Sequence, residues 1–197
     1  MDRRAHYAEV ALGLFAEHGY HGVTMDQVVA EAGGSKATLY RYFASKEELF
    51  EALIDEVRAG TESAPDVHDL AGLGLPDALE RIGRDVAAAA LDPRVTVLFR
   101  MALGEYNRFP ELAHALFERG PATSYRRLLA VLAERSAARE VEIPDPQIAA
   151  EQFLGGIIGH QQMRLALGAG EPSAEDIEVR IHAAVEAFVR LYGTSSD

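Results

Sequence analysis

The side chains best suited to binding chemistry stand close together in this chain of 197 residues: Thr24, Ser35, Lys36, Ala37, Thr38, Tyr40, Arg41, Tyr42 and Lys46. They include both of its lysines. Ammonium, guanidinium, hydroxyl and phenol groups on one short stretch can bond phosphate oxygens and the edges of bases. The other candidate chemistry is thinner. Glu111 and His114 have the Glu-x-x-His spacing of di-metal helical bundles, but that site needs a second such motif and two more inward carboxylates, and the sequence holds no second copy. His18 and His21 are three apart with Gly19 between them, which breaks the helix that would make them a metal pair. The absence of cysteine excludes disulfides, thiolate metal sites and a cysteine nucleophile. There is no glycine-rich phosphate loop and no nucleophile elbow. An enzyme, a cofactor and a metal are therefore not expected.

The elements that must position the first group can be read from their caps. Thr24 followed by Gln27 is a capping box, and it opens a short helix whose apolar side is Val28, Val29 and Ala32. Gly33 ends that helix and Gly34 extends the turn. Ser35 caps the next helix, which carries one burial signal, Leu39 and Phe43, four residues apart. At about 100° per residue, Ala37, Thr38 and Arg41 then point away from the core, flanked by Lys36, Tyr40 and Tyr42. Ser45 and Glu48 form a third capping box, opening a helix that runs to about Arg58. Two short helices joined by a glycine turn, the second too polar for core, form a helix-turn-helix whose second helix enters the major groove of DNA. Thr24, Tyr40 and Lys46 are expected on phosphates, with the amides capped by Ser35 nearby. Lys36, Ala37, Thr38 and either Tyr42 or Arg41 are expected on base edges.

The wording TMDQVVAEAGGSKATLYRYFASKEELF resembles the signature of the tetracycline-repressor (TetR) family of transcriptional regulators, over roughly residues 5 to 55. It departs at Met25, Gly34 and Ala37, where family members often have threonine, an aliphatic residue and glycine. The resemblance implies an all-α dimer that binds operator DNA, most often as a repressor released by a small hydrophobic effector.

A net charge of −12 runs against the basic footprint usual in DNA-binding proteins. Residues 1 to 60 alone hold six Lys and Arg against ten Asp and Glu. Distribution answers the total: Lys36, Lys46, Arg3, Arg4 and Arg41 can share one face, and the helix starts after Thr24, Ser35 and Ser45 attract phosphate through amides and dipoles. An acidic body also limits non-specific association with DNA.

The rest of the chain reads as helices. Tyr7, Val10, Ala11 and Leu14 recur at helical spacing up to Gly19. After Arg58, GTESAPDVHDLAGLGL reads as a linker. Leu79, Ile82, Val86 and Ala90 form a stripe after Pro76. Asp92 with Pro93 opens an apolar helix containing Arg100, Pro110 opens another, and a further helix carries Tyr125, Leu128, Leu129 and Leu132. After EVEIP, Asp145 with Pro146 starts QIAAEQFLGGIIGHQQMRLAL, which is apolar on more than one face. Gly155, Gly156 and Gly159 within it should each cost about 1 kcal/mol relative to alanine, so they need a packing reason. Ser173 caps the last helix, striped by Ile177, Ile181, Ala184, Val185 and Phe188.

The expectation is an all-α chain: a three-helix head over residues 1–58 and a body of about six helices over residues 59–197. The head binds double-stranded operator DNA. The chain pairs with itself through its last two helices, at Leu154, Gly155, Ile158, Gly159, Ile181, Val185 and Phe188. A small-molecule effector would meet Phe99, Met101, Tyr106, Phe117, Phe153 and Met163, with Arg100, His160 or Gln161 as polar groups. The alternative keeps the fold without the effector, as a constitutive or partner-controlled DNA-binding regulator. No apolar run approaches a membrane span and no signal peptide follows Met1, so a cytoplasmic location is expected.

Overall fold

The computed structural model describes residues 2–60, 70 and 72–194, and its regular structure is helical. Most of the expected linker, residues 61–69 and 71, lies outside the described residues. The chain divides into two compact units, residues 1–60 with 93–120 and residues 61–92 with 121–197. The first break falls near the expected one, but the two helices after Pro93, expected in the body, pack with the head.

In the first unit, α1 (Arg3–Gly22), α2 (Met25–Ala32), α3 (Lys36–Tyr42) and α4 (Lys46–Gly60) are joined by α6 (Pro93–Gly104) and α7 (Pro110–Arg119). The expected stop at Gly19 appears as a kink: its φ of 72° and ψ of 162° lie in a region only glycine adopts readily. Tyr7, Ala11 and Phe15 of α1 are buried with Val28, Leu39, Phe43, Leu49, Phe50 and Leu53 in one apolar core that also takes Leu98 and Leu112. Arg119 at the end of α7 donates to Asp55 Oδ2 (2.8 Å) and Glu51 Oε2 (2.5 Å), which ties α7 to one side of α4.

The second unit holds α5 (Leu75–Ala90), α8 (Pro121–Ala137), α9 (Pro146–Leu154), α10 (His160–Ala166) and α11 (Ala174–Tyr192). The stripe of α5 is buried as read, through Leu79, Ile82 and Val86. The expected single helix after Pro146 is interrupted: Gly155–Gly159 forms a π-helical turn between α9 and α10, with helical dihedrals on either side. π-turns are uncommon and often mark functional positions. The close approach within this unit falls at another glycine. A Cβ on Gly83 of α5 would lie 3.1 Å from both Ile157 and Ile181, whereas nothing comes within 4 Å of one on Gly155 or Gly159. The EVEIP segment does more than break the chain. Val141 bridges to Gly193, and Glu142 N donates to Tyr192 O (2.8 Å), fastening the end of α11. Among the described residues no helix is long and apolar enough to cross a membrane.

Candidate nucleic-acid interface

The turn that sets α3 against α2 is built from the residues the sequence singles out. Thr24 Oγ1 accepts from Gln27 N (3.3 Å), and Gln27 Oε1 accepts from Thr24 N (2.7 Å), which closes the capping box. Gly33 has φ 70° and ψ 160° and Gly34 has φ 111°, both left-handed. Side chains from α1 hold this turn. Ala32 O accepts from His6 Nε2 (3.1 Å) and Gly33 O accepts from the Tyr7 hydroxyl (3.3 Å). A Cβ at Gly34 would lie 2.6 Å from the Tyr7 hydroxyl and 2.8 Å from an Arg3 guanidinium nitrogen. Arg3 and Tyr7 thus occupy the space that a side chain at Gly34 would take.

Ser35 Oγ then accepts from Thr38 N (3.1 Å) and caps α3. Leu39 is the one fully buried residue of α3, while Lys36, Ala37, Tyr40 and Arg41 are exposed and Thr38 and Tyr42 half-buried. Tyr42 packs its ring against Tyr7 (6.3 Å between centroids), and the Arg41 guanidinium lies 5.3 Å over Tyr42. The third cap differs in detail: Ser45 Oγ accepts from Glu48 N as read, but the Glu48 carboxylate accepts from Ala44 N, one residue before the cap.

Three of the five expected basic groups are already engaged. Lys46 Nζ donates to Tyr20 O (2.8 Å) and Val23 O (2.9 Å) and sits 4.2 Å from the centre of the Tyr20 ring. Its ammonium therefore caps the carbonyls at the end of α1. Two of its three N–H groups thus point into the protein, at the junction of α1 and α2. Burial holds this ammonium below the usual lysine range, because desolvation disfavours the charged form. Arg4 pairs with Glu56 of α4 (2.7 Å) and lies over Phe43. Lys36 pairs across the turn with Asp26 of α2 (2.7 Å). Asp26 is absent from the sequence-based site, since its spacing of ten from Lys36 becomes proximity only once the α2–α3 angle is fixed. Arg3 and Arg41 remain stacked on Tyr7 and Tyr42.

The other expected sites fare less evenly. Ile181, Val185 and Phe188 are buried in the core of the second unit, and Phe188 also lines an open groove. Ile181 packs beside Gly83 of α5, whereas Phe188 meets Phe153 of α9. Leu154 and Ile158 are half-buried, while Gly155 and Gly159 are exposed and share an outward side with Ile148 and Met163. On α11 the outward apolar residues are Val179 and Leu191, and Gly156, Ala183, Ala184 and Ala187 line an open groove between α11 and the α9 side. The expected effector-binding residues divide between the units. In the first, Met101 is core and Phe99 packs against it, while Arg100, Tyr106 and Phe117 are exposed. In the second, Phe153 packs edge-on to Phe188 (5.9 Å), His160 and Met163 are exposed, and buried Gln161 accepts from Arg180 Nε and Nη2 (both 2.9 Å). Met101 belongs to the core of the first unit, and Phe153 belongs to the core of the second and also lines its open groove.

Known proteins resemble this chain in sequence and in fold. Residues 8–53 match the family described as bacterial regulatory proteins, tetR family, and residues 77–194 match the AefR-like transcriptional repressor C-terminal domain. Over 98% of both chains, the structure resembles that of the flavonoid-responsive regulator FrrA, at 34% identity and a TM-score of 0.77. A TetR-family protein of Mesorhizobium loti shares the fold at a TM-score of 0.80 and 24% identity, over 98% of this chain and 97% of that one. The nucleoid occlusion factor SlmA of Pasteurella multocida is 48% identical over 46 residues, 23% of each chain. The match therefore spans about a quarter of the length of that curated relative.

Proposed function

This chain belongs to the TetR family of transcriptional regulators, and on that premise we propose that it is a repressor that binds operator DNA as a homodimer and is released by a small hydrophobic ligand. Members of the family bind DNA and are not enzymes. The observation that carries the finer reading is α3 itself, with Leu39 fully buried and Lys36, Ala37, Tyr40 and Arg41 exposed beyond a cap at Ser35. Such a helix presents polar groups and amide donors to a groove.

Self-pairing is supported by the exposed apolar groups Ile148, Met163, Val179 and Leu191 and by Gly155 and Gly159, beside which a Cβ would meet nothing. Small residues four apart allow a second helix to approach closely, and a two-fold operator requires two heads. Repression is supported by the description of the family that residues 77–194 match, and ligand control by the responsive character stated for FrrA. Its accessible candidates are Arg100, Tyr106 and Phe117 in one unit and His160 and Met163 in the other.

Selection of bound duplexes from a random DNA pool tests the reading. The expected product is a two-fold symmetric sequence with half-sites about 34–36 Å apart; recovery of unrelated sequences contradicts it. Small hydrophobic molecules that raise the melting temperature are then tested for operator release. A 100-fold loss of affinity requires a preference of about 2.7 kcal/mol for the non-binding state. Stabilising hits that never alter DNA affinity favour the constitutive or partner-controlled regulator.

A further inference from the structure

We propose that Asp26 is a specificity-determining residue, which holds the Lys36 ammonium away from phosphates and reserves it for a base edge. The proposal rests on the reading that α3 recognises DNA. The Lys36 ammonium meets both carboxylate oxygens of Asp26, at 2.7 and 3.0 Å, and its other neighbour is the Tyr40 ring, 6.0 Å to the centroid. Both partners are well exposed, at 60% and 67% of their side chains, so the pair adds little to folding. Its position is more telling. Asp26 lies in the first turn of α2, two residues after the cap at Thr24, and Lys36 opens α3, so the bridge links the first turns of the two helices.

Because Lys46 is turned onto the carbonyls of Tyr20 and Val23, Lys36 is the chain's one lysine on the outward side of α3. A phosphate approaching it brings an anion against the Asp26 carboxylate, and like charges repel in that contact. A guanine O6 or N7 is a neutral acceptor and incurs far less of that repulsion. The carboxylate thus lowers affinity for backbone in general and leaves affinity for a correct base largely intact. The bond to Asp26 also holds Lys36 above its ordinary range.

The test compares wild type with Asp26→Asn and Asp26→Glu, using the duplex selected by the wild type and an unrelated duplex of equal length. Nitrogen-15 NMR of the two lysine ammonium groups reads the tether in the free protein, with Lys46→Met for assignment. Asp26→Asn should lower the Lys36 titration midpoint. It should tighten binding to the unrelated duplex and narrow the ratio between the two duplexes by about five-fold, the scale of one exposed charge pair. The salt slope should rise by about 1 per subunit, and Asp26→Glu should keep most of the ratio. An unchanged Lys36 signal in Asp26→Asn overturns the tether. A changed signal with an unchanged ratio overturns the filter. A wild type that discriminates between no duplexes overturns the underlying DNA reading and the filter with it, while the ammonium signal still reports separately on the tether.

Discussion

The Lys46 ammonium lies 4.2 Å from the centre of the Tyr20 ring and donates to the Tyr20 carbonyl at 2.8 Å. One side chain at the start of α4 thereby satisfies a carbonyl and the π face of Tyr20, in the last turn of the kinked α1. With Val23 O as its second acceptor, Lys46 fixes the entry to α2, and so the angle at which α3 is presented.

Replacing Lys46 by alanine should therefore act on stability first. A hydrogen bond to a charged group is worth about 1.5–3 kcal/mol, and the two here are only half-buried, so we expect a loss of about 1–3 kcal/mol in all. The melting temperature should fall by roughly 2–4 °C for each kcal/mol. The salt slope of DNA binding should change by clearly less than the ~1 per subunit of a direct phosphate contact. Unchanged stability with a full unit lost from the slope would restore Lys46 to the phosphate backbone.

The turn offers a second check. Gly33→Ala should cost about 1–3 kcal/mol from backbone conformation alone, since nothing lies within 4 Å of its Cβ position. Gly34→Val should cost more, because the added atoms also meet Tyr7 and Arg3. Trimming the neighbour with Arg3→Ala should recover part of that excess in Gly34→Val but none of the loss in Gly33→Ala. Thermal denaturation of the four proteins decides it, and equal effects of Arg3→Ala in both backgrounds would count against the packing argument.

How far the sequence speaks depends on the range of the interaction. The caps at Thr24, Ser35 and Ser173 and the stop at Gly33 are local, set by a hydroxyl and the amide three residues on or by one dihedral pair, so they were legible. The polarity of α3 was legible too, because Leu39 stands alone. What Lys46 and Asp26 bind was not: their partners come from other helices, and a lysine at a helix start reads the same whether it faces solvent or a carbonyl. The stripe Ile181, Val185 and Phe188 was visible, but periodicity does not say which helices cover it. The small-residue contact at Gly83, one glycine in an otherwise ordinary helix, gave no signal beside the three glycines of the π-turn.

Those glycines separate two kinds of packing. Gly159→Leu should leave the monomer's stability nearly unchanged and weaken self-association, with DNA affinity falling alongside. Gly83→Leu should destabilise the fold itself by about 1–3 kcal/mol through overpacking, since Ile157 and Ile181 already stand 3.1 Å from its Cβ position. Sedimentation and urea denaturation of both variants test the assignment. An unperturbed dimer in Gly159→Leu moves the interface elsewhere.

Acid should loosen the start of α11. Bonds from the Ser173 hydroxyl and amide hold Asp176 below the usual carboxylate range, and the Arg84 guanidinium does the same for Glu178. With folded values depressed, the stabilisation is fully present above the ordinary carboxylate range, about pH 4. It is lost as pH falls through that range and then through the folded values, because the unfolded chain takes up protons first. The urea midpoint of wild type should fall between pH 5 and pH 3, and that of Ser173→Ala/Glu178→Gln should fall less. Parallel curves would show that these bonds carry no net stabilisation.

The most direct measurement of the central claim is the set of sequences bound by wild type and by Lys36→Ala, each selected from the same random duplex pool. If the outward side of α3 reads bases, the two profiles should differ at one or two positions in each half-site, with about 1–3 kcal/mol lost on the wild-type optimum. Identical profiles, with affinity lowered equally on every sequence, would mean that Lys36 touches only the backbone and would contradict the account.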